Sequence, residues 1–71
     1  MGSDLRARYN KGLAIEVRLE GEINDRAIPI EERRKLLPEY DKIVDGLNKL
    51  LRLIGEDNYT DDEVLNGFKL D

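Results

Sequence analysis

A chain of 71 residues with no cysteine and no histidine can form no disulfide and offers neither the thiolate nor the imidazole ligands of ordinary zinc sites. It also lacks the thiol and the imidazole base on which triad and thiol enzymes depend. The 12 basic and 16 acidic residues leave a net charge of −4, which opposes nonspecific attachment to nucleic acid or to an anionic membrane, and no apolar run exceeds three residues, far short of a transmembrane helix.

One domain spanning 1–71 is expected. A core this small supplies only about 3–5 kcal/mol. With disulfides and transition metals excluded, self-association as a homo-oligomer is the expected support. The lack of cysteine suits a reducing compartment, so the expected location is cytoplasmic.

The first third carries two periods at once. Leu13, Ile15, Val17 and Leu19 alternate with Ala14, Glu16, Arg18 and Glu20, the pattern of a half-buried strand, and Gly12 and Gly21 would bound it. Leu5, Tyr9, Leu13 and Val17 also recur every four residues, as do Ile15, Leu19 and Ile23. Arg18 and Glu22 stand at a helical charge-pair spacing. A strand needs a partner, and the nearby candidate, 26–30, is short and contains Pro29. The reading adopted is a first helix over about 4–24, with an α+β fold containing a strand at 13–19 as the alternative.

Next comes the clearest element, a second helix over about 29–55. Leu36, Tyr40, Ile43, Leu47, Leu50 and Ile54 form a seam at helical period, and Leu37, Val44 and Leu51 widen it beyond what one neighbouring helix can cover. Pro29 suits the first turn, Glu31 and Glu32 suit the positive end of the dipole, and Gly55 suits the stop. Pro38 predicts a kink, or a break with the helix restarting there. At the C-terminal end, Thr60 with Glu63 is a capping box, Tyr59 with Val64 a hydrophobic staple, and Asn66-Gly67 a left-handed stop. These signals predict a short helix over 61–66, after which Phe68 folds back. The fold class is therefore all-α: an antiparallel helical hairpin with a short C-terminal helix.

Paired carboxylates such as Glu16 with Glu20 or Asp61 with Asp62 read as solvated helical faces. Asp57, Tyr59 and Asp61 begin like a calcium loop, but the sixth-position glycine and twelfth-position glutamate are missing. No cofactor or metal is expected. The remaining candidate for chemistry is positive charge beside an aromatic ring: Arg6, Arg8 and Lys11 around Tyr9, and a second group at Arg33, Arg34 and Lys35. Guanidinium groups for phosphate and a ring for stacking are what a phosphorylated base requires.

The segments "EER", "LPEYDKIVDGLNKLL" and "YTDDEVLNGF", within residues 13–68, resemble small accessory proteins of phages and mobile elements of Gram-positive bacteria. Among such proteins are helical-hairpin oligomers that sequester cyclic nucleotide signals of antiviral defence. The resemblance assigns no residues. The expected function is a non-catalytic oligomeric protein, of phage or mobile-element kind as the resemblance implies, that binds and occupies a host macromolecule such as a protein through its acidic surface and C-terminal arm, or alternatively a sponge that holds a cyclic nucleotide between subunits. Membranes and nucleic acid polymers are not expected partners.

Overall fold

The computed structural model describes residues 2–70, with side chains from Leu5 onward. It consists of α1 (Gly2–Ile23), α2 (Ile30–Ile54), a 3-10 turn (Glu56–Asn58) and α3 (Asp61–Asn66). The fold is all-α, and the described residues contain no strand. Segment 13–19 is helical because its four-residue rows find a partner in α2, whereas a lone strand would leave its ladder unpaired. Its side chains accordingly point around the helix rather than to one side: Leu19 is buried and Val17 is 56% exposed.

The two long helices are antiparallel. Gly12 meets Leu47, Glu16 meets Tyr40, and Arg33 reaches the Ile23 carbonyl, so the numbers rise along one helix as they fall along the other. Gly12 is a crossing point rather than a strand end. A Cβ there would lie 2.8 Å from Leu47 Cδ2, so the missing side chain lets the helices approach. The turn is built by side chains as much as by backbone. Asp25 Oδ1 accepts from the Ala27 amide at 2.9 Å, and Arg33 donates from Nε to the Ile28 carbonyl at 2.9 Å and from its guanidinium to the Ile23 carbonyl at 3.4 Å. The last helical carbonyl of α1 thus gains a partner that the helix itself cannot supply.

Helix α2 runs through Pro38 without a break. Pro38 lies on the exposed side, half a turn of phase from the Leu47 seam. There solvent can serve the carbonyl whose amide donor is lost, so the cost is met without ending the helix. Gly55 then stops α2 at φ +97°, its amide bonded to the Leu51 carbonyl at 2.9 Å. Thr60 caps α3 as a full capping box. Its hydroxyl accepts from the Glu63 amide, and the Glu63 carboxylate accepts from the Thr60 amide at 2.9 Å. Gly67 ends α3 at φ +90°.

The molecule is a rod of 41 × 19 × 18 Å with a radius of gyration of 13.7 Å, against about 11 Å for a compact chain of this length. Its core is not central. Tyr9, Leu47, Ile54 and Phe68 form one buried cluster, and Leu5, Leu13, Ile43, Leu50, Leu51 and Tyr59 pack around it. The cluster sits where the start of α1, the end of α2 and the C-terminal arm meet. Leu36 and Tyr40, nearer the turn, face inward but are only half-buried.

Candidate functional site

The basic residues do not converge on one site. Tyr9 is the most deeply buried side chain, 2% exposed, so its ring is a core element and not a stacking platform. Its hydroxyl donates to the Val64 carbonyl at 2.6 Å, and Phe68 meets its ring edge-on with centroids 5.4 Å apart at 83°. Burial, with the nearby Glu16 and then Tyr59, raises its phenol above the ordinary tyrosine pKa.

Arg6 is also committed. Its guanidinium carbon lies 5.5 Å from the Phe68 ring centroid and one nitrogen is 3.4 Å from the Asn58 carbonyl. Arg33 closes the hairpin turn, as described. Arg8 and Lys11 remain exposed beside a shallow depression that includes Leu70, and Arg34 and Lys35 are exposed near the turn. From Arg8 to Ile23, beside Arg33, is fifteen helical residues of α1, about 22 Å. The two groups therefore belong to opposite ends of the rod.

Sequence reasoning overlooked Asn10, which secures the arm. Its amide nitrogen donates to the Phe68 carbonyl at 2.7 Å, and its amide oxygen accepts from the Phe68 amide at 2.7 Å. This two-point pairing gives partners to the Phe68 backbone beyond α3, and the Tyr9 bond to Val64 serves a carbonyl in the last turn of α3. It also explains Gly67, where a Cβ would lie 2.8 Å from Asn10 Oδ1. Phe68 consequently folds onto α1 rather than back onto α3. No local signal in the sequence marks Asn10, because its partner is 58 residues away.

What the fold leaves open is a groove of about 340 Å³ between α1 and α2, bounded at one end by α3. Leu13 and Val17 from α1, Tyr40, Val44 and Leu51 from α2, and Val64 and Leu65 from α3 supply its apolar lining. Val17 and Leu65 are 56% and 72% exposed, and Leu37 (44%) and Ile30 (55%) extend the Val44 stripe toward the turn at seven-residue intervals. The only ionisable carboxylates of the lining are Glu16 and Glu20, and it contains no cation. Tyr40 donates to Glu16 Oε1 at 2.9 Å. That bond is the main reason the Tyr40 phenol titrates above its ordinary value, with burial and the charges of Glu16, Glu20 and Asp41 adding to it.

Elsewhere the surface is plainly solvated. Among the described residues the only ion pair is the exposed Lys49–Asp45 bridge at 3.1 Å, worth a few tenths of a kcal/mol, roughly. The described residues hold no cluster of three acidic groups arranged for a metal, and no described helix is long and apolar enough to cross a membrane. No protein-family model, curated protein or solved structure matches the chain. Function has to be read from the chain's own surface.

Proposed function

We propose that this chain is a non-catalytic interaction protein that works by laying the α1–α2 groove against another macromolecule. The groove carries the reading: a contiguous apolar strip, rimmed by polar groups, that the short third helix covers at one end only. The total surface supports it. The accessible area is 5652 Å², against about 4,500 Å² for a folded monomer of this mass. Resemblance to phage and mobile-element accessory proteins adds a host protein as one class of partner. Self-association belongs to the same reading, since a second copy is one macromolecule that the groove could take.

The cyclic nucleotide reading has less support, because Arg6 and Tyr9 spend their polar groups on the arm. A photo-crosslinking residue placed at position 17, in the groove, and separately at position 45, on the solvated face, tests the proposal in cells. Adducts are expected from position 17 and not from 45, and their mass tells a second copy of 8.2 kDa from a foreign protein. Equal or absent adducts at both positions overturn it, as would a rise in melting temperature with a cyclic di- or trinucleotide alone.

A further inference from the structure

The chain carries five asparagines, at positions 10, 24, 48, 58 and 66, and Asn66 alone is followed by glycine. That pair is chemically unstable in water. The backbone nitrogen of the following residue attacks the asparagine side chain, and glycine has no Cβ to obstruct the approach. The fold occupies both reacting groups. The Gly67 amide donates to the Glu63 carbonyl at 2.9 Å, and Asn66 Nδ2 donates to Asp62 Oδ1 at 2.9 Å. Gly67 is itself held at φ +90° between α3 and Phe68, whose backbone is paired to Asn10. We propose that Asn66 is a self-modifying site that the docked arm keeps silent: it deamidates when the arm leaves α1, and its products dock the arm less firmly.

The chemistry needs only water. Once Gly67 is free, solvent base takes its amide proton and the nitrogen attacks Asn66 Cγ. The new N–Cγ bond forms as the Cγ–Nδ2 bond breaks, and Nδ2 leaves as ammonia with a proton from water. Water then opens the resulting succinimide at either carbonyl. Opening at Cγ gives aspartate. Opening at the backbone carbonyl gives isoaspartate, in which the main chain runs through the former side chain and is longer by one carbon. Asn66 is exposed, so solvent reaches it.

The place of Asn66 decides the consequence. Two neighbouring residues of α1 hold the arm on either side of it: the Tyr9 hydroxyl on the Val64 carbonyl at 2.6 Å, and the Asn10 amide on the Phe68 backbone at 2.7 Å. An extra carbon at position 66 falls between these anchors, and the segment must buckle or surrender one of them. Phe68, 5% exposed, is then displaced from the core. The aspartate product acts more weakly. It replaces the donor to Asp62 with a second carboxylate four residues further on, at the negative end of α3.

Peptide mass spectrometry of the full chain, incubated at mildly alkaline pH either folded or in denaturing urea, tests the proposal. Conversion at Asn66 is expected to be slower in the folded chain by at least about tenfold. Tyr9→Phe, which stays folded and loses one anchor, should convert about fivefold faster than the unsubstituted chain, and Asn10→Ala should approach the urea rate. Leu37→Ala, at the opposite end, should stay near the folded rate, and Asn66→Gln should suppress conversion because its longer side chain closes a less favourable ring. The converted chain, separated by its added negative charge, should unfold at a lower urea midpoint and exchange its Phe68 amide hydrogen faster. No conversion in urea, equal rates folded and unfolded, no acceleration in Tyr9→Phe, or a converted chain with an unchanged midpoint overturns the inference.

Discussion

The two ends of the rod obey different physics. At the arm end three segments enclose Tyr9, Leu47, Ile54 and Phe68, and every long-range hydrogen bond to the arm converges there. At the turn end two helices face each other alone: Leu19 is buried, Leu36 and Tyr40 are half-buried, and Ile30 and Leu37 meet solvent. The difference teaches that the seam closes into a core where the C-terminal arm lays Phe68 and Tyr59 over its end. Exposed apolar side chains nonetheless occur at both ends, Leu53 and Leu65 beside the core and Ile30 and Leu37 near the turn.

The sharpest way to break the contrast is to remove Phe68. Truncating a buried phenylalanine costs about 3–5 kcal/mol, as much as a chain of this size has to lose. Phe68→Ala is therefore expected to abolish the cooperative melt followed by circular dichroism, whereas Leu37→Ala at the turn end should move it by no more than a few degrees. Equal effects at the two ends would contradict the uneven core.

A smaller effect comes from Tyr9→Phe, which removes the donor to Val64 and should cost about 1 kcal/mol. It also exposes the sign of the pH dependence. The folded state raises the Tyr9 pKa, so the neutral phenol is favoured by folding. Its contribution is complete below the ordinary tyrosine value of about 10 and disappears as pH rises through the higher folded value. Urea midpoints should fall as pH rises above the ordinary tyrosine value of about 10, less steeply in Tyr9→Phe. Tyr40 shifts in the same direction and leaves a residual slope.

The smallest effect has the opposite sign. Gly21 is helical, and a Cβ there meets nothing within 4 Å. Gly21→Ala should stabilise the thin end by about 0.5–1 kcal/mol, read as a higher urea midpoint. The same change at Gly12 must push against Leu47 and should destabilise.

The features legible in the sequence were those whose cause lies within a few residues. The α2 seam repeats at helical period, Thr60 and Glu63 stand three apart, and the two glycine stops follow directly on the helices they end. The all-α class rested on the same local rules. Pro38 was legible as a perturbation but not as a tolerated one, because its consequence depends on which side of the helix faces solvent. The candidate binding residues could not be read this way. Tyr9 among arginines looks like a ligand platform until Phe68 and Val64 are brought to it from more than fifty residues away, and Asn10 carries no mark at all. The groove was foreshadowed by the breadth of the Leu37, Val44 and Leu51 stripe, while its negative flank required α1 to be set beside α2.

The Asn10–Phe68 pairing also orders events in time. It spans 58 residues, and the Tyr9–Val64 bond spans 55. Contacts so distant bear the full entropy of closing the chain, whereas the turn at 24–29 joins its helices across a handful of residues. Hairpin formation is therefore expected to precede arm docking. Substitutions at Asn10 should then accelerate unfolding far more than they slow folding, which makes the amide of Asn10 a latch: slight in its effect on how fast the protein forms, decisive for how long it stays formed.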